Sequence, residues 1–589
     1  MSTLTWVLVG VAIYWVVLLS LRNRGLLPSY VGTQGPIITL HTKRGRILLD
    51  RLSKPKRFWR AFSNVGVGLA LVVMTLSFVF VLFAAISALY TPDGTQSAVT
   101  EPRNVVVIPG VNDFLPLSVA PEIVFGLLVA LVVHEGAHGL LCRVEGIDIE
   151  SMGVAMLAII PIGAFVEPEY ESQKKANRGG KTRMFAAGVT ANFLVTIVAF
   201  ALLFGPVAGA ITVAPGAAVG GAFPGSPADE AGITEGDRII AVNGEGIADE
   251  SELNEALSGT DSEVALTLEN EDDEREVTID REVNVAEAVE GGPSGLEAGD
   301  GLVSVNGEPV STEDEFREVV SEEPVTTVET ADAEEHTFAA GALATVTPDG
   351  PASEAGMPEG EQVVITAVDG ERVIDSEELT AILQETDPGQ TVEVEAEVDG
   401  EVESYTVELG EHPEGYGMIG IDNIQPGITG LVFDDLGIQP YPASTFLGLL
   451  GGDGDAGAST FVGAIGFALM LPIISIVDPT VPFNFAGFTG FVTNFYVVEG
   501  ALAPVGGGVF LLANLLFWTG WINLNLGFFN CIPAFPLDGG HILRSSTEAI
   551  GSRLPIEGSY ELTKTVTISV GLAMLMGLLL MIFGQGLLV

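Results

Sequence analysis

Two histidines and a glutamate stand at a spacing that could hold a metal ion. They are His134, Glu135 and His138, in the segment His-Glu-Gly-Ala-His. Residues four apart share one face of a helix, so both imidazoles can point at one metal while Glu135 lies close enough to hold a water molecule. A hydrogen-bonding cluster between helices is the alternative interpretation. The pattern favours two ligands and the base of a zinc centre.

Asp538 is the candidate for the third protein ligand that a catalytic zinc site requires. It lies in an apolar run, after Pro533 and Pro536 and directly before two glycines. The prolines free backbone carbonyls from a helix ladder, and the glycines let two chain segments approach closely. Because an ionisable residue in an apolar run usually marks function, we predict that His134, His138 and Asp538 bind Zn²⁺.

Both motifs lie among hydrophobic runs that are long enough to cross a bilayer. We predict about six transmembrane helices, at Leu4–Leu21, Val65–Tyr90, Pro121–Cys142, Met184–Ile211, Val505–Phe529 and Thr565–Leu588. The first run lacks the basic start and the cleavage site of a signal peptide, so we interpret it as an anchor. Lysines and arginines concentrate in residues 22–64 and 174–183, which places these loops in the cytoplasm. The segment between the fourth and fifth helices is therefore predicted to be extracytoplasmic.

Two further apolar segments do not fit a simple crossing. Met152–Val166 is short and contains Pro161 and Gly163, so we predict a re-entrant hairpin that packs against protein. A single crossing by Ser459–Val477 would invert everything after it. That segment is predicted either to re-enter or to pair with Pro482–Val498.

The charge of the chain is concentrated in one region. Mean hydropathy is +0.44, yet the net charge is -52. Residues 217–415 contain 54 acidic residues, five arginines and no lysine, and the rest of the chain is almost neutral. Such an acidic, lysine-poor surface is typical of proteins that work in concentrated salt, which suggests a halophile. Nothing in the sequence resembles a basic face for nucleic acid, which argues against nucleic-acid binding. Cys142 and Cys531 are expected to be small buried side chains.

The acidic insert is a repeat. Three tight-turn dipeptides recur every 63 residues, at Asn243-Gly244, Asn306-Gly307 and Asp369-Gly370. Each follows a strand-like run and precedes a short helical pattern, so one supersecondary unit is used three times. The units resemble PDZ domains of bacterial membrane and envelope proteases, clearly in the first and third and weakly in the second. The resemblance implies peptide binding at a sheet edge, or gating of access to the membrane site.

These patterns predict the fold class: a polytopic α-helical membrane protein with re-entrant segments and an inserted α+β, β-rich region of tandem PDZ-like domains. We name these repeat one (216–283), the degenerate repeat two (284–340) and repeat three (341–415). The membrane part divides into N-terminal helices (1–115), a first half of the core with the His-Glu motif (116–215) and a second half with Asp538 (416–589).

Taken together, the motifs resemble the site-2 protease family of intramembrane zinc metalloproteases. The matching parts are His134–His138, the segment from Asn530 through Pro533 to Leu537-Asp538-Gly539, and the PDZ-like insert between them. The hairpin at 160–166 is similar to the family's re-entrant segment. Gly188 and Asn192 match the small-residue and asparagine pattern of the next helix. Having three PDZ-like units rather than one or two is a departure that leaves the choice of substrate open.

The resemblance implies a mechanism and a class of partner. Zinc lowers the pKa of a bound water, and Glu135 takes its proton as general base and later passes it to the leaving amine. Asn530 is the predicted oxyanion donor, with Asn192 second; either asparagine could instead join helices by a hydrogen bond. His541 is interpreted as a neighbour of the site rather than a ligand. The expected substrates are single-span membrane proteins in the lipid bilayer, such as membrane-anchored regulators or remnant signal peptides.

Two other functions compete with a protease. A catalytically dead scaffold would recruit peptides through the PDZ-like units, but it would have no use for Glu135. A zinc or cation transporter would line a path with intramembrane histidine and aspartate. Transporters usually contain internal membrane repeats, and the sequence repeats only in the soluble insert.

Overall fold

A computed structural model describes the chain in residues 3–28, 30–90, 109–110, 112, 115–158, 160–270, 273–289, 291–398, 400–413, 415–451, 460–477, 481, 483–553 and 559–583. The chain forms two compact units. The first, here called the membrane unit, contains Met1–Thr212, Ser444–Gly490 and Val498–Val589. The second, the insert, contains Val213–Ala443 and Phe491–Val497.

Helices dominate the membrane unit. Those before the insert are α1 (Thr3–Asn23), α2 (Lys43–Leu52), α3 (Lys56–Tyr90), α4 (Ala120–Glu145), α5 (Tyr170–Lys175) and α6 (Arg178–Leu202). The described part of the insert has five short helices: α7 (Pro227–Glu230), α8 (Glu250–Leu257), α9 (Glu313–Glu322), α10 (Pro351–Glu354) and α11 (Ser376–Gln384). After it come α12 (Ala443–Leu449), α13 (Phe461–Met470), α14 (Ile474–Val477), α15 (Gly508–Asn530), α16 (Asp538–Gly551) and α17 (Ser559–Phe583).

Five helical segments within the described residues are long and apolar enough to cross a membrane. They are Lys56–Ser87, Leu117–Glu145, Arg178–Ala210, Gly508–Asn530 and Tyr560–Met581. Each corresponds to a span predicted from hydropathy, which confirms the fold class. The remaining predicted span coincides with α1, whose shorter apolar stretch is Val9–Asn23. The end of the last predicted span lies outside the described residues.

Small residues let α4, α6 and α15 pack closely. A Cβ added at Gly126 of α4 would lie 2.9 Å from the Trp518 carbonyl oxygen of α15, so only glycine fits there. Thr196 of α6 donates a hydrogen bond to the Gly520 carbonyl at 3.3 Å. Small residues and a hydroxyl bond between helices are the usual means of close packing in membranes. This packing brings the helices that carry both motifs together.

A buried carboxylate joins three helices at the end of α4. The Glu145 side chain is 1% exposed and forms ion pairs with Arg60 of α3 at 3.0 Å and Arg183 of α6 at 2.9 Å. Removal of one partner of such a buried group is costly, because the remaining charge loses its compensation. The cluster fixes the register of α3, α4 and α6 at one end.

The predicted re-entrant hairpin is a β-hairpin. Its strands are β3 (Ile149–Leu157) and β4 (Ile160–Pro168), which follow β1 (Val31–Gln34) and β2 (Ile37–His41) in chain order. The four form one antiparallel sheet in the order β1-β2-β3-β4. A Cβ at Gly153 of β3 would lie 2.1 Å from the Leu40 carbonyl oxygen, so the pairing of β2 with β3 requires glycine there. Strand β4 is therefore one edge of the sheet.

The segment after the insert folds back on itself. Helices α13 and α14 are separated by a 3₁₀ turn at Leu471–Ile473, and Phe485 N–H then donates to the Leu471 carbonyl at 2.9 Å. Two tryptophans of α15 donate to this segment, Trp521 to the Leu469 carbonyl at 3.2 Å and Trp518 to the Ala486 carbonyl at 3.0 Å. The chain thus returns against α15, and both alternatives, re-entry and pairing with the segment 482–498, stay predictions.

The insert consists of short strands. In chain order they are β5 (Ile211–Val213), β6 (Ala217–Ala222), β7 (Arg238–Val242), β8 (Glu245–Gly246), β9 (Glu263–Glu269), β10 (Glu274–Asp280), β11 (Asn284–Ala288), β12 (Leu302–Val305), β13 (Glu308–Pro309), β14 (Val325–Thr330), β15 (Glu335–Ala339) and β16 (Ala342–Val346). They continue with β17 (Gln362–Val368), β18 (Glu371–Arg372), β19 (Thr391–Val398), β20 (Glu401–Glu408), β21 (Gly410–Glu411), β22 (Gly417–Met418), β23 (Ile421–Asp422), β24 (Leu431–Asp434) and β25 (Ile438–Pro440). Strand β26 (Tyr496–Val498) follows much later.

Repeats one and three share one sheet topology. The order is β10-β9-β7-β6-β25 in repeat one and β20-β19-β17-β16-β23 in repeat three. Repeat two is divided into a sheet of the order β13-β12-β14-β15 and a separate pair, β11-β24. In all three turns the Asn or Asp and the following Gly have positive φ, as predicted for tight hairpins. The weaker sequence match of repeat two thus accompanies a less regular sheet.

One short segment completes all three repeats. Strands β23, β24 and β25 follow each other within residues 421–440 and pair with β16, β11 and β6 of repeats three, two and one. We call residues 416–440 the return segment. Its apolar side chains enter three separate cores: Ile419 that of repeat three, Leu431 that of repeat two, and Leu436 that of repeat one. The repeats are therefore nested, although their sequences follow one another.

Candidate active site

The three predicted ligands meet in the membrane unit. The Nε2 atoms of His134 and His138 lie 3.1 Å apart, and each lies 3.1 Å from Asp538 Oδ2. All three side chains are buried or nearly so. Together they form the group that could hold a metal ion in the part of the chain that the structure describes.

Local sequence positions these three side chains. His134 and His138 lie one turn apart on α4, and Asp538 is the first residue of α16. The two glycines that follow it are required by space, because a Cβ at Gly539 would lie 2.3 Å from two backbone carbonyl oxygens, and one at Gly540 would lie 2.8 Å from the backbone of Ala534. The start of α16 can therefore lie directly against the preceding turn. The predicted role of the glycines as sites of close approach is seen here.

Hydrogen bonds from the other ring nitrogens orient both imidazoles. His138 Nδ1 lies 2.7 Å from the Met184 carbonyl oxygen, which can only accept, so this nitrogen carries the proton. His134 Nδ1 lies 3.2 Å from Asn192 Oδ1 on α6. Both Nε2 atoms consequently present lone pairs to Asp538. Such outer partners are what fix the tautomer of a metal-binding histidine.

This arrangement fits a bound cation. Two imidazole lone pairs and a carboxylate oxygen face one another in a buried position, and Asp538 Oδ2 forms no hydrogen bond within the described residues. Zinc bonds of about 2.0–2.1 Å in a tetrahedron separate ligand atoms by roughly 3.3 Å, close to the observed spacing. Without a cation, three electron-rich atoms at 3.1 Å would repel one another in a medium of low dielectric constant.

Glu135 lies beside this group and is oriented by the hairpin. Its Oε2 atom accepts a hydrogen bond from the Val166 N–H of β4 at 3.0 Å. The bond leaves the second carboxylate oxygen available for another partner. It also links the candidate base directly to the edge strand, a connection that the separation of 31 residues in the sequence did not indicate.

The two asparagines occupy different surroundings. Asn530 is the last residue of α15, and its side-chain N–H donates to the Leu526 carbonyl of the same helix at 3.0 Å. Asn192 is fully buried beside His134, and its Nδ2 atom has no partner among the described residues. In this structure Asn192, the second choice for the oxyanion donor, is thus the asparagine that contacts a predicted ligand.

Other residues singled out from the sequence have simpler environments. Cys142 and Cys531 are free and buried, as predicted. The His541 ring stacks on Phe185 at 4.3 Å between centroids and does not join the ligand group. Met184 and Val166 contribute backbone groups to the site, and sequence reasoning missed both because a backbone carbonyl or N–H has no residue-type signature.

Comparison with known proteins places the chain in a family. Residues 122–578, which include both motifs, match the model of Peptidase family M50. The chain belongs to family M50. The resemblance to site-2 proteases is therefore confirmed, and this is a family of zinc metallopeptidases.

Individual relatives of this M50 chain match over part of their length. This chain is 29% identical to an uncharacterized protein of Methanocaldococcus jannaschii over 205 residues, which are 34% of this chain and 52% of the relative. It is 28% identical to the zinc metalloprotease RasP of Oceanobacillus iheyensis over 240 residues, 41% of this chain and 50% of that protein. The chain thus spans about half the length of these relatives.

A solved structure was also matched. The PDZ domain of an SdrC-like protein from Listeria monocytogenes aligns with 24% sequence identity and a TM-score of 0.13, covering 15% of this M50 chain and 90% of the domain.

Proposed function

We propose that this M50 peptidase is a zinc-dependent endopeptidase that hydrolyses peptide bonds within the transmembrane segments of membrane-anchored proteins. The observation that carries the proposal is the buried group of His134, His138 and Asp538, with the Glu135 carboxylate beside it. Ionisable groups within apolar helices are costly, and they are retained where they do chemistry.

The protein side of the mechanism follows from the geometry. His134, His138 and Asp538 would hold zinc, which when bound polarises a water molecule and the scissile carbonyl. The carboxylate of Glu135 takes a proton from that water and later gives it to the leaving amine. Val166 N–H holds Glu135 in place, and Met184 and Asn192 keep the imidazoles in the required tautomer. Asn530, after a change of its side-chain rotamer, would donate to the developing oxyanion, with Asn192 Nδ2 as the second choice.

The first test separates the chemistry from the metal site. A tagged single-span substrate is coexpressed with wild type, Glu135→Gln or Asp538→Asn. We expect Glu135→Gln to reduce cleavage by about 10²–10⁴-fold while zinc content stays unchanged, and Asp538→Asn to lose both. The matched control is Glu122→Gln, on the same helix but roughly 20 Å away along its axis.

Three results would contradict the proposal. Cleavage that survives both Glu135→Gln and a zinc chelator would exclude a zinc protease. Absence of cleavage by wild type, together with zinc flux across vesicles that depends on His134, would identify a transporter instead. A scaffold would bind peptide and cleave nothing.

We infer that the substrate adds a strand to the edge of β4. The supporting observation is that β4 pairs only with β3 among the described strands, and the Val166 N–H on its free side contacts the catalytic glutamate. A transmembrane helix hides its carbonyls, so a substrate must unwind before attack, and an extended strand beside β4 would present its carbonyl near Glu135. Helix-destabilising residues near the cleavage point should favour this step.

The repeats are proposed to recognise or gate substrates on the extracytoplasmic side. Support comes from a cavity of about 580 Å³ inside the insert, lined by Leu253 and Leu257 of α8 and by residues of β24 and β25. Each of these two strands has one strand partner and hence a free edge. Carboxylates also line the cavity, among them Glu250, Glu287 and Glu377. The lining favours extended peptides with cationic side chains.

Filling this cavity distinguishes recognition from gating. Leu253→Trp should raise the KM for a single-span substrate severalfold with kcat unchanged if peptide binds there, because a bulky ring removes the space. If the insert only gates by size, Leu253→Trp should cleave substrates with a short extracytoplasmic tail at the same KM as wild type. Leu379→Trp in repeat three, away from the cavity lining, controls for loss of stability.

A further inference from the structure

A basic groove lies at one end of the membrane unit. Two adjoining cavities, of about 280 and 160 Å³, share Arg544 in their linings. The first is also lined by Tyr170, Lys174 and Lys181, and the second by Tyr560 and Lys564. We call these six residues the basic groove. Helices α5, α6, α16 and α17 each contribute to it.

The charge of the groove is opposite to that of the chain. Four cations, Lys174, Lys181, Arg544 and Lys564, line the two cavities with a single carboxylate, Glu548. The chain carries a net charge of -52 and few lysines, yet three of them lie here. Such a local concentration of positive charge creates an attractive potential for anions.

Two of the three ammonium groups, those of Lys174 and Lys564, form neither a hydrogen bond nor an ion pair among the described residues. Arg544 pairs with Glu548 at 3.3 Å, and Lys181 donates to the Lys174 carbonyl at 3.1 Å. Lys174 Nζ lies 6.0 Å from the Tyr170 ring centroid, and neither Lys174 nor Lys564 forms an ion pair with a described acidic residue. Both remain available to a negatively charged ligand.

The groove lies where predicted transmembrane helices begin. The apolar segments Arg178–Ala210 and Tyr560–Met581 start beside it. Tyr170 and Tyr560 are exposed by 69% and 64%. Tyrosines together with lysines and arginines at the ends of spans are typical of the headgroup layer, and residues 174–183 are predicted to be cytoplasmic. One turn after Lys564 on α17, the exposed side chain of Ile568 also lines the second cavity and gives it an apolar wall.

We propose that the basic groove binds the phosphate headgroup of an anionic lipid. Lys174 and Lys564 contact the phosphate, the tyrosines flank the headgroup, and an acyl chain follows α17 past Ile568. A bound lipid would join α5 and α6 to α16, the helix that begins with Asp538. The groove contains no predicted metal ligand, so this proposal is independent of the proteolytic activity.

Competition between lipids in native mass spectrometry tests the proposal. The full chain, purified in a neutral detergent at the lowest salt that keeps it folded, is mixed with equal amounts of phosphatidylglycerol and phosphatidylcholine. We expect wild type to retain phosphatidylglycerol, and Lys174→Gln with Lys564→Gln to lower the bound fraction by about fivefold for each lysine. Phosphatidylcholine binding should be equal in both proteins.

The control removes the same charge elsewhere. Lys175→Gln with Lys54→Gln takes two lysines that do not line the groove, and it should leave phosphatidylglycerol binding unchanged. The double variant Lys174→Arg with Lys564→Arg keeps both charges and should bind phosphatidylglycerol like wild type. It tests the role of charge even if the double glutamine variant does not fold.

Three outcomes would overturn the proposal. The first is that wild type retains the two lipids equally. The second is that the groove pair and the control pair of variants lose phosphatidylglycerol binding to the same extent. The third is that millimolar inorganic phosphate displaces phosphatidylglycerol and raises the thermal stability of the protein as much as the lipid does. The last result would identify a free-anion site instead of a lipid site.

Discussion

Space, rather than backbone conformation, dictates glycine at position 188. A Cβ there would lie 2.6 Å from His138 Nε2 and 2.7 Å from His134 Nε2. These are the two atoms that face Asp538, so a side chain at 188 would occupy the place of the metal or push an imidazole out of line. The matching of Gly188 to a family pattern thereby acquires a physical reason.

Gly188→Ala should lower zinc affinity by at least about tenfold, because it disturbs both ligands at once. Zinc per protein, measured by elemental mass spectrometry after dialysis, checks this. Gly136→Ala is the matched control, since it lies within the same motif on α4 and a Cβ there meets nothing within 4 Å. Full zinc content in Gly188→Ala would show that α6 can move away, and would contradict the expectation.

At the scale of elements, the β-hairpin connects the candidate base Glu135 to the four-stranded sheet of the membrane unit. Hydropathy predicted that Met152–Val166 would not cross the membrane, and its proline and glycine indicated a hairpin. Hydropathy could not indicate the pairing of β2 with β3, because more than a hundred residues separate them and the strands near the N-terminus are short. That pairing covers β3 and leaves β4 as the edge.

Proline in β4 tests the role of this edge. Val166 N–H points away from β3, and the alternation of an antiparallel ladder makes Ala164 N–H point the same way. Ala164→Pro removes this outer donor and should reduce kcat/KM for a single-span substrate by about three- to tenfold, the effect of one backbone hydrogen bond.

Its control is Thr33→Pro in β1, the opposite edge of the same sheet. That variant should cleave at the wild-type rate. Equal losses in both variants would mean that the sheet as a whole had been weakened, and unaltered cleavage by Ala164→Pro would exclude strand addition at β4.

At the scale of the molecule, the return segment makes the insert depend on distant parts of the chain. Repeat one is predicted to end at residue 283, yet Leu436 and Ile438 lie in its core. Each repeat therefore closes only after all three have been synthesised. The three cores nevertheless remain separate clusters of buried residues.

Leu436→Ala should destabilise repeat one by about 2–5 kcal/mol, the usual cost of a buried leucine. Leu436 is fully buried. Hydrogen exchange should therefore accelerate in β7 and β9 and stay slow in β17 and β19. Leu409→Ala, in the core of repeat three, should give the reverse pattern. Faster exchange in all four of these strands in either variant would mean that the insert unfolds only as a whole.

The sequence alone determined what depends on near neighbours. A four-residue spacing placed His134 and His138 on one helix face, hydropathy located the spans, and Asn-Gly or Asp-Gly dipeptides located the hairpin turns, because each signal arises within one or two turns of chain. Asp538 was also found, since a carboxylate in an apolar run is conspicuous whatever its partners.

Only the tertiary structure decided which distant groups touch. It brought Asn192 against His134, left the Asn530 side chain on its own helix, and joined the Val166 backbone to Glu135. It also decided that the short strands of the return segment, of two to four residues each, pair in three different sheets. Such contacts are set by packing and by backbone hydrogen bonds, which almost any residue type can form, so the residue types carry little record of them.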